Sequence, residues 1–122
     1  MSISSVSPTL PVVDLKRSEK FYQEKLGLKL LREDPSPGAT LGAGGCELYI
    51  YQREPTKADH TVAAFRVDNV EASVKELRGK GIKFEEYDMP KLKTRDGIFS
   101  MDGYSAAWFK DPDGNIIAIS NM

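Results

Sequence analysis

The sequence has only one cysteine, Cys46, among its 122 residues, so no disulfide can form within the chain. This scarcity is typical of proteins in a reducing compartment such as the cytoplasm. We interpret Cys46 as a small residue that packs in a strand, as free cysteines usually do. A catalytic thiol would need a nearby histidine, and nothing in the sequence brings the single histidine, His60, towards it.

The sequence also lacks long runs of one charge sign and long apolar runs. Its 17 basic and 18 acidic residues leave a net charge of −1, which argues against nucleic-acid or anionic-membrane partners. No apolar stretch reaches the roughly 18 residues of a transmembrane helix. The first residues, MSISSVSPTL, lack the pattern of a signal peptide. We therefore expect a cytoplasmic protein that binds neither nucleic acid nor membrane.

Composition and length are those of an ordinary globular protein. Hydrophobic residues make up 40% of the chain and charged residues 29%, which is not the balance of a disordered chain. The length suits one compact domain, or two small halves that share a core. We expect a single domain over residues 1–122.

Two segments of the chain share one order of signals. They read VVDLKRSEKFYQEKLGLKLL (12–31) and RVDNVEASVKELRGKGIKFE (66–85). Each contains a short apolar strand, an aspartate suited to cap a helix (Asp14 and Asp68), about three helical turns, a glycine and a second apolar strand. The repeat predicts that the chain consists of two similar halves.

Helical spacing marks the buried face of each predicted helix. In the second helix this face contains Val70, Val74 and Leu77, and in the first it contains Leu15, Tyr22 and Leu26, with Phe21 beside them. The glycines that follow, Gly27 and Gly81, fit the left-handed residue that ends a helix.

Further strands follow each of these units. Glycines and then alternating apolar residues fill TLGAGGCELYIYQRE (40–54), and GIFSMDGYSAAWFKDPDGNIIAIS (97–120) contains a strand, a DPDG turn and a last strand. The polar stretch 54–60 is a connector, and the charged stretch 85–97 is predicted to be a mobile loop over one end of the sheet. The plan is strand–helix–strand–strand–strand in two modules, about 5–53 and 60–122.

Three stretches carry a resemblance to a known family: LPVVDLKRSEKFYQEKLGLKLL, FRVDNVEASVKELRGKGIKF and WFKDPDGNIIAI. In this order they resemble the vicinal oxygen chelate superfamily, which includes glyoxalase I, bleomycin-resistance proteins and extradiol dioxygenases. The resemblance implies an α+β fold in which two βαβββ modules form a curved, mostly antiparallel sheet cup with the helices outside. It also implies a homodimer. It does not decide the function, because this scaffold hosts unlike chemistries.

Enzymes of this family hold a divalent metal with four side chains, usually His, Glu or Gln. The resemblance places Ser7, Glu47, Val62 and Ala118 at those four positions. Methyl and isopropyl groups cannot bind a metal, and a serine hydroxyl is a poor ligand for ions that suit imidazole and carboxylate. We therefore predict no catalytic metal and no other cofactor.

The family positions also fix which strand residues face the cup, because side chains alternate along a strand. The inward set combines small residues, aromatic rings, one acid and one arginine, although the facing of Trp108 stays open. The predicted ligand-binding residues are Ser7, Pro11, Glu47, Tyr49, Tyr51, Val62, Ala64, Arg66, Trp108 and Ala118. Such a lining suits a flat or amphipathic organic ligand, or the rings simply fill the space between the sheets.

Two polar residues have alternative interpretations. Glu47 either anchors a ligand or is satisfied by a neighbour such as Arg66, because a buried carboxylate needs a partner. His60 shares a strand face with Val62 and is either a metal ligand or, as we favour, exposed or hydrogen-bonded.

These features leave three functions open. We favour a binding protein, similar to bleomycin-resistance proteins, that holds a small organic molecule without a metal. The alternative is a metal-dependent lyase or isomerase of the glyoxalase I type, in which the metal stabilises an enediolate. The third is an interaction module whose cup is filled by its own side chains.

Overall fold

A computed structural model describes all residues, 1–122. The chain divides into two compact units, Met1–Lys57 and Ala58–Met122. The boundary lies within the predicted connector, residues 54–60. Neither helix is long and apolar enough to cross a membrane.

The first unit contains one helix and four strands. In chain order they are β1 (Thr9–Val12), α1 (Leu15–Glu24), β2 (Lys29–Asp34), β3 (Gly38–Ala43) and β4 (Cys46–Gln52).

The second unit contains one helix and six strands, two of which are only two residues long. In chain order they are β5 (Thr61–Arg66), α2 (Val70–Gly79), β6 (Asp88–Met89), β7 (Leu92–Lys93), β8 (Ile98–Met101), β9 (Tyr104–Lys110) and β10 (Ile116–Ser120).

Both units build the same four-stranded sheet. The strand order is β1-β4-β3-β2 in the first and β5-β10-β9-β8 in the second. In each, the first strand pairs in parallel with the last, and all other pairs are antiparallel. The repeat read from the sequence is therefore present in the topology, and the predicted α+β fold with mostly antiparallel sheets is confirmed.

The helix boundaries follow local chemistry. The Asp14 side chain accepts the N–H of Arg17 and so caps α1, as predicted. The second cap differs: Asn69, and not Asp68, begins α2 by accepting the N–H of Ala72. Asp68 is therefore one position too early for the role we gave it. Gly81 follows the second helix at φ 89°, a left-handed conformation in which a side chain would be strained.

The core of the first unit lies between α1 and one face of its sheet. Leu10 and Val12 of β1 and Leu48 and Ile50 of β4 are buried on this face. The helix contributes buried Leu15 and Tyr22, as its spacing predicts, whereas Leu26 is only half-buried. Glu19 and Ser18 are also buried on α1, which the apolar pattern did not predict.

The core of the second unit repeats this arrangement. Val70, Val74 and Leu77 of α2 are buried, as predicted. They accompany Phe109 and Phe84, whose rings meet edge to face with centroids 5.5 Å apart. Aromatic pairs in this geometry contribute roughly 0.5–1.5 kcal/mol beyond the burial of their area.

The strand count of the second unit differs from the prediction. The strand expected directly after α2 is reduced to one bridge between Phe84 and Phe109. The stretch 97–120 holds three strands rather than two, because a turn at Asp102–Gly103 splits the region before DPDG into β8 and β9. In the topology, β8 takes the edge position that β2 holds in the first unit.

The charged stretch 85–97 forms a hydrogen-bonded hairpin. Thr94 and Tyr87 bond through their backbones, and the Thr94 hydroxyl accepts the N–H of Tyr87. The carboxylate of Glu86 accepts bonds from the Thr94 hydroxyl and the Gly97 N–H. These bonds lower the pKa of Glu86. The segment is therefore a hairpin rather than an irregular loop, and its mobility stays a prediction.

Candidate functional site

Strand alternation gives each sheet a second face, opposite its helix. On the first sheet we call this the tyrosine face, made of Pro11, Glu47, Tyr49 and Tyr51, all half-buried. Register supports the grouping, since Pro11 stands opposite Tyr51. Leu10, Val12, Leu48 and Ile50, which alternate with these residues along β1 and β4, are buried on the helix side, as the predicted facing requires.

Tyr49 is held in one orientation by polar neighbours and by the space that Gly38 leaves beside its ring. Its hydroxyl donates to Asp34 at 2.9 Å and lies 3.0 Å from the Ser36 hydroxyl. A Cβ at Gly38 would stand 2.1 Å from the Tyr49 hydroxyl oxygen, so only glycine leaves room for the ring. Hydrogen bonds from the Ser36 hydroxyl and amide and from Tyr49 hold the pKa of Asp34 below its usual range.

Tyr51 extends this aromatic surface. The rings of Tyr49 and Tyr51 stack with centroids 6.5 Å apart and planes 11° apart. Near-parallel rings on one sheet face form a flat apolar wall against which another ring can stack. The anchored hydroxyl of Tyr49 adds a polar edge to that wall.

Glu47 forms an ion pair within its own sheet. Its carboxylate lies 2.6 Å from Nη2 of Arg32, and both side chains are partly exposed. The sequence suggested that a neighbour such as Arg66 satisfies Glu47, and within this sheet the neighbour that does so is Arg32. A register shift in β2 between Leu30 and Arg32 sets Arg32 opposite Thr40, beside the tyrosine row, and no sequence pattern indicated this bulge.

On the second sheet the corresponding surface is the tryptophan face, made of Ala64, Arg66, Trp108 and Ala118, whereas Val62 lies in a register shift of β5 and is left unpaired. Ala118 stands opposite Ala64 on one side and Trp108 on the other. Directly opposed residues point to the same face, so the facing of Trp108 that the sequence left open is settled. Ala118 is 6% exposed, whereas Ala64 is exposed. The row is therefore small residues beside one large ring.

Tyr87 is a residue of this region that the sequence reasoning missed. Its ring meets Trp108 edge to face, with centroids 5.5 Å apart. Burial, and then the nearby Glu85 carboxylate, raise the pKa of its hydroxyl. Tyr87 lies in the charged stretch 85–97, and a lone aromatic in such a stretch was the signal that could have identified it.

Three other residues that the sequence singled out are exposed. Ser7 is exposed and precedes β1, with its carbonyl accepting the Thr9 hydroxyl. His60 is exposed and lies 3.3 Å from the Asp59 carboxylate, which matches the interpretation we favoured. Cys46 begins β4 but is exposed, so our expectation that it packs as a hydrophobe was wrong.

A comparison with protein-family models identifies the superfamily of this chain. The model of the Glyoxalase/Bleomycin resistance protein/Dioxygenase superfamily matches residues 3–119. The chain belongs to this superfamily. No curated protein matches it.

Several solved structures share the fold over nearly the whole chain. TnmS3, an antibiotic binding protein from Streptomyces sp. CB03234, is 25% identical with a TM-score of 0.71, covering 98% of this chain and 96% of its own. SMU.1112c is 27% identical with a TM-score of 0.74, covering 98% and 99%. A superfamily member from Sphaerobacter thermophilus DSM 20745 is 23% identical with a TM-score of 0.74, covering 97% of each chain.

The metal that many superfamily enzymes use does not fit this donor set. Val62 and Ala118 offer only hydrocarbon, and the carboxylate of Glu47 is engaged by Arg32. No three side chains of His, Cys, Asp or Glu lie together in a way that could hold an ion. One paired carboxylate is too few ligands for Zn²⁺, which takes three or four protein donors, and the same shortage applies to other divalent ions that this superfamily uses.

Proposed function

We propose that this superfamily member binds a small aromatic or amphipathic organic molecule and needs no catalytic metal to do so. The observation that carries this proposal is the stacked pair Tyr49 and Tyr51. The hydroxyl of Tyr49 is held by hydrogen bonds with Asp34 and Ser36. Pocket surfaces for organic ligands combine apolar and aromatic walls with few, well-placed polar groups. The tyrosine face has both.

The remaining predicted residues extend the proposal to the second sheet. Trp108 offers an aromatic surface beside the methyl groups of Ala64 and Ala118, which leave room for a flat molecule. Arg66 could meet an anionic substituent, since its side chain is exposed. Ser7, Pro11 and Val62 complete the proposed binding set.

The comparison with TnmS3 supports this choice, because that structure is described as an antibiotic binding protein. We also propose that the protein is a cytoplasmic homodimer. Catalysis of the glyoxalase I type is the competing function. It would need a metal to stabilise the enediolate, because losing such a stabilising charge typically raises the barrier by several kcal/mol.

Metal retention separates binding from metal-dependent catalysis. After dialysis against zinc, nickel or manganese and a wash, we expect the purified protein to keep far less than one ion per chain, because Glu47 is the only donor of its kind on the faces described. Elemental analysis gives the ratio. Retention of close to one ion per chain would favour the lyase or isomerase instead.

Ligand binding can be followed by thermal shift and then by calorimetric titration. In a screen of aromatic metabolites and glycopeptides, we expect at least one compound to raise the melting temperature and to bind saturably. Gly38→Ala should weaken the binding of that compound about fivefold, because the new methyl group displaces the Tyr49 ring from the stack. The dissociation constant from the titration gives the measurement.

Gly79→Ala is the matched control, since a methyl group there meets nothing within 4 Å, and its affinity should equal that of the unchanged protein. Equal affinity for Gly38→Ala would remove Tyr49 from the binding surface. A screen in which no compound binds would favour the interaction module.

A further inference from the structure

The second unit contains a groove on the side of its helix. It lies between α2 and the segment 93–100 and has a volume of about 1090 Å³. Of the ten residues proposed above for ligand binding, none lines it. The superfamily comparison and the tyrosine face therefore leave this groove unexplained.

The groove results from the way the sheet edge is built. β8 is the edge strand, and along it Ile98 is half-buried and Ser100 exposed. A tight turn at Asp96 and Gly97, both at positive φ, bonds Arg95 to Ile98 through both backbones. This turn folds residues 93–95 back, so that they form the wall opposite α2.

One cation of the groove is fixed in place. Nη2 of Arg78, on α2, donates to the carbonyl of Asp96 at 2.9 Å. Its guanidinium carbon lies 5.7 Å from the centroid of the Phe84 ring, within the range of cation–π attraction. A guanidinium held by a carbonyl and a ring loses little conformational freedom when it meets an anion.

The walls carry an excess of positive charge. Lys75 and Arg78 lie on the α2 side and Lys93 and Arg95 on the opposite side, against two lining carboxylates, those of Glu71 and Asp96. The Glu86 carboxylate is not part of the lining but interacts with Arg78. Lys75 and Arg95 form no ion pair, and Lys93 reaches Asp88 only at 4.0 Å with both side chains exposed. This local excess stands out in a chain of net charge −1.

We propose that this groove binds a small molecule with at least two anionic groups, carboxylate or phosphoryl, which bridge Lys75 and Arg78 on one wall and Lys93 and Arg95 on the other. Arginine and lysine both recognise these oxygens, arginine with its planar fork. A monoanion engages one wall only and therefore gains about half of the attraction. Because the cations are exposed, binding weakens as ionic strength rises.

Backbone amide NMR spectra at constant ionic strength test the assignment. Pyrophosphate, citrate and acetate serve as probes. We expect saturable shifts of amides in α2 and residues 93–100 with pyrophosphate, with citrate or with both, and at least tenfold weaker binding of acetate. The better of the two multivalent probes identifies phosphoryl or carboxylate as the preferred group.

Reversing the charge of two groove residues gives a second test of the site. The double variant Lys75→Glu with Arg95→Glu should weaken the binding of the better probe at least tenfold. The amide spectrum of the variant outside the groove should stay unchanged. The control, Lys83→Glu with Lys91→Glu, makes the same charge change on exposed lysines outside the groove and should alter affinity less than twofold.

Equal weakening in both variants would show a response to net charge alone and would overturn the site. So would shifts that do not saturate, or that centre outside the groove. Saturation by an oligoglutamate peptide, with neither pyrophosphate nor citrate binding, would overturn the small-molecule assignment. These readouts do not depend on the tyrosine face, so they can fail while the proposed function holds.

Discussion

Replacing Asp111 by alanine should destabilise the protein by about 3 kcal/mol or more. Oδ1 of Asp111 accepts the N–H groups of Asp113 and Asn115, and Oδ2 accepts the Asn115 amide, each at 2.9 Å. Asp111 and Asn115 are only 5% and 1% exposed, so water cannot replace the lost acceptor. Hydrogen bonds to charged groups contribute about 1.5–3 kcal/mol each, and their loss is not additive.

Urea denaturation followed by circular dichroism measures this change. Asp88→Ala is the control, because Asp88 is exposed and its nearest cation, Lys93, lies 4.0 Å away. It should cost less than about 0.5 kcal/mol. A loss below about 1 kcal/mol for Asp111→Ala would show that the turn is stabilised by its backbone alone.

This turn also determines the tryptophan face. Asp111 closes the connection between β9 and β10, in which Gly114 adopts φ 82°. The length of that connection sets Trp108 opposite Ala118. A shift of β10 by one residue would send the Ala118 side chain to the helix side. The DPDG sequence therefore contributes to the proposed site through register, without contacting the ligand.

Much of the fold could be predicted from the sequence because its signals are local. Asp14 caps its helix through the amide three residues on, and the spacing of Val70, Val74 and Leu77 reports one helix face. The facing of Tyr49 and Tyr51 follows from alternation along a single strand. Each of these inferences needs only the residues next to it in the chain.

The errors and omissions concern pairings that depend on distant parts of the chain. Glu47 meets Arg32 because a bulge in β2 changes the facing of that strand. Asn69 caps α2 although Asp68 beside it has equal capping ability, so the choice depends on where β5 ends. Tyr87 reaches Trp108 only because the hairpin around it is held by Glu86 and Thr94.

The basic groove was out of reach of sequence reasoning for the same reason. Lys75 and Arg95 are far apart in the chain and lie on opposite walls only because the turn at Asp96 and Gly97 reverses the backbone. In the sequence, Lys75 and Arg95 are each followed directly by an acidic residue, and no long run of one sign occurs. The near-zero net charge of the chain therefore gave no sign of the excess of basic side chains around the groove.

Glu19→Gln should stabilise the protein at neutral pH by about 1–2 kcal/mol, the cost of burying an incompletely paired polar group. Glu19 is only 4% exposed, and its Oε2 has no hydrogen-bond donor. Burial is the main cause that raises its pKa, and the nearby Glu33 carboxylate adds to it. Lys16 lies 3.6 Å from Glu19 but 2.5 Å from Glu33, so it mainly neutralises the more exposed carboxylate.

The sign of the pH dependence follows from this raised pKa. The folded state binds the Glu19 proton more tightly than the unfolded state, so its contribution is fully present below the ordinary pKa of 4.5 and is lost as pH rises through the folded value. Glutamine cannot ionise, and its amide can donate to Glu33. The advantage of the variant should therefore be small at pH 4 and grow towards pH 7.5.

The pKa of Glu33 is shifted in the opposite sense, lowered by its hydrogen bonds with Glu19 and Lys16. Its contribution is lost as pH falls, and only the part due to Lys16 is common to both proteins and cancels in their difference. Urea denaturation at pH 4, 5.5 and 7.5 measures that difference, with Glu24→Gln as the control because Glu24 is exposed on the same helix and reaches Lys20 only at 4.0 Å. Destabilisation by Glu19→Gln at pH 7.5 would mean that the ionised Glu19 carboxylate and Lys16 attract each other more strongly than burial opposes the charge.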